Sequence, residues 1–184
     1  MTVFDILVII TASVAAFWDL KTRKIPNWLT FPMAAMGLVI SLLVFGWKDV
    51  LYSPGQPSVS GWLVGMGVFL IPYLLGGMGG GDVKLMGAIG ALKGINFVLS
   101  TALLGAMWGG LLALLVICLK KRPGILKRFG IGLKLFILTE GKAGKEFMLP
   151  DENAGAQERL YVPYGVAVFL GVLTSYLVNL KLLG

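Results

Sequence analysis

The sequence predicts an all-α, polytopic integral membrane protein with about six transmembrane helices and a short amphipathic cytoplasmic segment. Three observations predict it. Apolar and aromatic residues make up 57% of the 184 positions and charged residues only 14%, where a soluble domain carries about 25% charge. The mean hydropathy is +0.87. The apolar residues also fall into runs near the ~20 residues needed to cross a ~30 Å hydrocarbon core. A chain of this length holds at most about eight such runs, so a single membrane domain over residues 1–184 is expected.

The first run, residues 3–18, lacks a basic leading region and a small-residue cleavage site, so it reads as a retained span rather than a secretory signal. It ends at Asp19-Leu-Lys-Thr-Arg-Lys24, and Ile25-Pro26-Asn27 stops the helix, because proline lacks a backbone donor and disfavours helical angles in its predecessor. A second span covers residues 28–45, and turn formers including Ser53, Pro54, Gly55 and Pro57 precede a third over 61–75. Next, five glycines in the six residues 76–81 interrupt any helix. A shorter span, 83–94, lies between Lys84 and Lys93, and a longer one, 97–119, carries Gly105, Gly109 and Gly110, small residues that let helices approach closely in lipid. The hydrophilic stretch 120–160 forms a basic cytoplasmic loop, of which 124–138 alternates apolar and basic residues and suits an amphipathic helix on anionic headgroups. Residues 162–180 form the last span.

Charge sets the orientation. Placing the connections 19–28, 76–84 and 120–161 on one side collects 13 of the 16 Lys and Arg residues there, against Lys48, Lys93 and Lys181 on the other. The positive-inside rule makes the first side cytoplasmic and puts both termini outside, in a cell membrane. The same placement explains the net charge of +7 without nucleic acid as a partner. Histidine is absent and Cys118 is the single cysteine. The commonest neutral-pH base, a disulfide framework and a thiolate metal cage are thereby excluded, and neither cofactor nor metal is expected. Proton chemistry falls to carboxylates, tyrosines or lysines.

Three carboxylates lie in or beside the spans. Asp5, near the outer end of the first, reads as an interfacial anchor within reach of headgroup water. Asp19 taken alone reads as an i,i+4 ion pair with Arg23, and Asp82 taken alone as the N-cap of the helix it opens. The basic-residue topology, however, puts Asp19 and Asp82 at the same cytoplasmic depth. Two facing carboxylates cannot both ionise cheaply, so they share a proton. The ionised member activates water while its protonated partner polarises a carbonyl, which is aspartic-protease chemistry. Glycines before Asp82 suit it, since an extended peptide must approach closely. Lys84, about 200° around the helix from Asp82, reads as a headgroup snorkel.

Three segments carry a family likeness: Asp19-Leu-Lys-Thr-Arg-Lys-Ile-Pro-Asn27, Gly79-Gly-Gly-Asp-Val-Lys84 and Val162-Pro-Tyr-Gly165. With them the chain resembles the type IV prepilin peptidases, whose signature is Gly-x-Gly-Asp. The resemblance implies an intramembrane aspartic endopeptidase that cuts the short basic leader from a prepilin-like partner at the cytoplasmic face, before its hydrophobic helix. On it, Asp19 and Asp82 are the catalytic pair, and Gly79, Gly80 and Gly81 shape the loop presenting Asp82. Pro163, Tyr164 and Gly165 lie near the site. Larger family members carry paired Cys-x-x-Cys motifs and also methylate the new N-terminus. One cysteine and a first connection of about ten residues imply the short, peptidase-only form, like those serving tight-adherence pili or preflagellin systems. Val166 stands where the family pattern has a second proline. The rival from another class is a small proton-coupled transporter or channel using the same aspartates. It calls for a repeat of the glycine-aspartate break in the other half of the chain, and the sequence has none.

Overall fold

A computed structural model describes residues 2–51, 55–74, 78–119 and 163–182. These residues form six helices and no strand: α1 (Val3–Thr22), α2 (Asn27–Phe45), α3 (Trp47–Leu51), α4 (Val59–Leu74), α5 (Gly80–Leu119) and α6 (Tyr164–Leu182). The chain divides into two compact units, Met1–Gly109 with Pro163–Gly184, and Gly110–Val162. In the second, the described residues are the last turns of α5. The expected amphipathic segment 124–138, the rest of the basic loop 120–160, and Gly76 and Gly77 lie outside the described residues.

Local chemistry sets the helix ends. A capping box opens α1: the Asp5 N–H donates to the Thr2 hydroxyl, and the Asp5 carboxylate accepts from the Thr2 N–H. Arg23 closes it in the left-handed region (φ 57°), its N–H on the Asp19 carbonyl. The helix therefore runs one turn beyond the apolar stretch and places Asp19 inside its last turn. Pro26, extended, leads into α2. The Ser58 hydroxyl accepts from the Gly61 N–H at 3.1 Å and caps α4. The short α3, five residues long, carries no sequence signal of its own.

Three helical stretches are long and apolar enough to cross a membrane, Val3–Thr22, Asn27–Phe45 and Gly80–Val116, and Val59–Leu74 and Tyr164–Val178 are shorter apolar helices. Gly80–Val116 is not one straight rod. Gly94 (φ 79°, ψ −174°) breaks it, at the boundary expected between two spans, and its neighbours show that the chain reverses there. Beyond the break, the Phe97 ring packs tilted against Tyr176, Thr101 bonds Ser175 and Gly109 faces the Tyr164 ring. Before it, Lys93 reaches Tyr176 while Asp82 lies by Tyr164. The two limbs of α5 thus run in opposite directions along α6.

The first limb is the centre of this unit. Leu85, Met86, Ile89 and Leu92 are fully buried, as expected for a helix apolar on all sides. Gly61 and Gly90 meet backbone to backbone, so α4 crosses this limb with no room for a methyl group on either side. Of the expected small-residue contacts, Gly105 packs against Gly171, whose added Cβ would lie 2.7 Å from the Gly105 nitrogen, and Gly109 packs against Tyr164. A Cβ at Gly110 would meet no other described residue within 4 Å. Large apolar side chains such as Leu43, Leu74, Leu103 and Met107 stay exposed, the arrangement that a lipid solvent requires.

Candidate active site

Helices α1, α5 and α6 each bring one polar group to the same end of the unit. Asp19 comes from the last turn of α1 and is buried, 4% exposed. The Gly165 N–H, in the first turn of α6, donates to Asp19 Oδ2 at 2.8 Å. A Cβ at Gly165 would stand 2.9 Å from Asp19 Cβ and 3.1 Å from Oδ2, so only glycine lets the two helices close to this distance. Such an N–H is one of the donors that a helix start leaves unpaired, and it favours an anion.

Asp82 lies in the first turn of α5 and is 7% exposed. It is not the N-cap that it resembles when taken alone. Gly79 holds that position, its carbonyl accepting the Asp82 N–H at 3.1 Å, while the carboxylate reaches back to the Gly79 N–H, 3.2 Å from Oδ2. This is the acidic half of a capping box. The other oxygen, Oδ1, is buried with no hydrogen-bond partner among the described residues. Leaving such an atom unpaired costs about 1–3 kcal/mol or more, which marks the place where a further donor belongs. The charge of Asp19 acts on Asp82, and that of Asp82 on the Tyr164 phenol.

The glycines before Asp82 differ in their surroundings. A Cβ at Gly81 would meet Ile25 Cβ at 3.0 Å and its backbone nitrogen at 3.3 Å, so the start of α5 lies flat on the link between α1 and α2. Gly80 faces the Tyr73 ring, 3.4 Å from an added Cβ, and Gly79 faces Asp82 Oδ2 itself. Pro163 opens α6, accepting the Val166 N–H at 3.2 Å. Tyr164 and Met78 line an apolar recess of about 490 Å³ with Phe69, Pro72 and Leu103. Lys84 Nζ donates to Asn27 Oδ1 at 3.0 Å and lies 5.2 Å from the Phe31 ring centre. It ties the two motif segments together on the exposed side, a nearer partner than the headgroups expected for it.

Asp5 departs from expectation. It is 7% exposed rather than open to headgroup water. Lys93 Nζ stands 2.6 Å from its Oδ1, and the Tyr176 hydroxyl donates to the same oxygen at 3.0 Å. Burial of an acid requires this compensation. The partners were hidden because they lie 88 and 171 positions away along the chain. Among the described residues no group of histidine, cysteine or acidic side chains could hold a metal ion.

Comparison with known proteins gives one consistent result. The model of the type IV leader peptidase family matches residues 6–114, a stretch that includes Asp19 and Asp82 and ends before Pro163. Over 101 residues the chain is 36% identical to a prepilin leader peptidase/N-methyltransferase of Xanthomonas campestris pv. campestris, covering 51% of this chain and 33% of that protein. A preflagellin peptidase of Methanococcus voltae is 33% identical over 81 residues, 43% of this chain and 33% of its own length. A Vibrio cholerae prepilin leader peptidase/N-methyltransferase is 31% identical over 90 residues, 44% and 32% of the two chains. The matched part is about a third of the length of each of these relatives. No solved structure matches the chain.

Proposed function

The chain belongs to the type IV leader peptidase family, and from that membership we propose that it is an intramembrane aspartic endopeptidase removing the basic leader of a prepilin-like precursor. The observation that carries the reading is the meeting of two buried carboxylates, Asp19 and Asp82, at one end of three helices, with Asp82 Oδ1 lacking a partner among the described residues. In the mechanism one carboxylate is ionised and takes a proton from water, whose oxygen attacks the scissile carbonyl carbon. The other carboxylate donates its proton to the carbonyl oxygen. As the tetrahedral intermediate collapses and its C–N bond breaks, the first carboxylate gives its proton to the departing amine, and the second takes back the proton from the oxygen that becomes the new carbonyl. The Gly165 N–H holds Asp19 Oδ2 and the Gly79 N–H holds Asp82 Oδ2, which leaves Asp82 Oδ1 to meet water or peptide.

We place this end at the cytoplasmic face and count six spans, the limbs of α5 separately. Lys21, Arg23 and Lys24 follow Asp19 in the same connection, and Trp18 and Trp28 pack edge to face 5.6 Å apart beside it. Basic and aromatic residues together favour a cytoplasmic membrane–water boundary. A leader rich in Lys and Arg would meet the two acids there, while the hydrophobic helix that follows stays in lipid. The basic loop 120–160 would rest on anionic headgroups of the same face.

The test is leader cleavage by the purified protein in detergent or liposomes, with a prepilin as substrate. Asp19→Asn and Asp82→Asn are each expected to lower kcat by at least about 10³-fold, within the range for loss of a general acid or base. Undiminished cleavage by either variant would overturn the assignment of that residue.

A further inference from the structure

The other buried acid of α1, Asp5, has no part in the chemistry above, yet three groups hold it. Asp5 Oδ1 accepts from Lys93 Nζ at 2.6 Å and from the Tyr176 hydroxyl at 3.0 Å. Asp5 Oδ2 accepts the Thr2 N–H. The Lys93 ammonium lies 5.6 Å from the Phe97 ring centre and 5.8 Å from that of Tyr176, so two aromatic faces complete its surroundings. These residues come from α1, from the end of the first limb of α5, and from α6. The same three helices carry Asp19, Asp82 and Gly165.

We propose that Asp5, Lys93 and Tyr176 are positioning residues: a three-helix clamp that fixes, from the far end, the separation of the two carboxylates. The inference rests on the reading of Asp19 and Asp82 as the acid/base pair. The length of the levers gives it force. At 1.5 Å per residue, Asp5 stands about 21 Å from Asp19, and Lys93 and Tyr176 about 16 Å from Asp82 and Gly165. A tilt of about 5° at the clamp moves the far ends by about 1.5 Å. A displacement of about 1 Å is enough to lose about 10²-fold in rate. Position along α5 adds to it, because Lys93 immediately precedes the reversal at Gly94, whose backbone is pressed against Gln56 with no room for a side chain. Anchoring Lys93 therefore fixes the direction of the first limb at the point where the helix itself gives no continuity.

The experiment removes the clamp without stranding a charge. In Asp5→Leu/Lys93→Met the ion pair gives way to packed apolar groups, a replacement that proteins tolerate. Expected are an unchanged melting temperature, kcat for prepilin cleavage lower by 10- to 100-fold, and an unchanged KM, because none of the three side chains reaches the substrate. The geometry is read directly in a Cys118→Ser background carrying Asp19→Cys and Asp82→Cys. Oxidative cross-linking of that pair should slow several-fold when the clamp is removed. Unchanged kcat and unchanged cross-linking in the folded double variant would overturn the clamp. Should that variant fail to fold, Tyr176→Phe keeps the ion pair and removes one tie. It should lower kcat about 3-fold at constant KM and slow the cross-link, and no change in either overturns the proposal. If Asp19→Asn and Asp82→Asn still cut prepilin, the catalytic assignment fails by itself, and the cross-linking rate alone decides the clamp.

Discussion

Asp5 and Asp82 are exposed to the same 7%, yet they stand in opposite electrostatic surroundings. Around Asp5 a lysine, a phenol and a backbone N–H occupy the carboxylate on both oxygens. Around Asp82 one backbone N–H serves one oxygen, the other has no partner among the described residues, and the charge acting on it is that of a second carboxylate. Burial is common to both, so burial alone does not mark a site. What separates them is compensation: a satisfied acid holds helices together, whereas an unsatisfied acid facing another acid is held in place by the rest of the fold at a cost to stability.

The same substitution at both ends breaks or sharpens this contrast. Asp82→Asn should abolish leader cleavage, at least about 10³-fold, while leaving the melting temperature in detergent equal or higher, because a buried acid crowded by a second acid gives way to a neutral amide. A large drop in melting temperature would show Asp82 to be structural. Asp5→Asn should do the reverse in stability: Lys93 loses its counter-ion, and thermal unfolding should report a loss of about 3 kcal/mol, the scale for breaking a buried pair. Smaller effects follow from the close approaches. Gly165→Ala adds a Cβ 2.9 Å from that of Asp19; overpacking of this kind costs about 1–3 kcal/mol, and cleavage should fall about 10-fold as Asp19 is displaced. Smallest is Asn27→Ala, which removes an exposed hydrogen bond from Lys84. Less than about 0.5 kcal/mol should be lost, as for surface substitutions generally, with cleavage kinetics nearly unchanged.

Much of the helical plan was readable because lipid imposes one rule on every span. Runs of apolar residues gave α1, α2, α4 and α6 to within a few residues, and Gly94 between Lys93 and Phe97 marked the reversal in α5. The pattern of basic residues set Asp19 and Asp82 at one end, and in the structure the charge of Asp19 acts on Asp82. Contacts across the chain were not readable. Gly165 reaches Asp19 over 146 positions and Tyr176 reaches Asp5 over 171; spacing carries no information about such pairs, since it depends on how helices turn about their axes once packed. Asp5 was misread for that reason. Its own neighbourhood in sequence looks like a helix start near water, and only the packing of α5 and α6 encloses it.

The hydrogen bond from Gly165 to Asp19 also has a consequence in time. Asp19 emerges from the ribosome 146 residues before the N–H that orients it. An unfinished chain can insert its early helices and hold both acids without assembling their surroundings. The setting of Asp19 is complete only once α6 has docked.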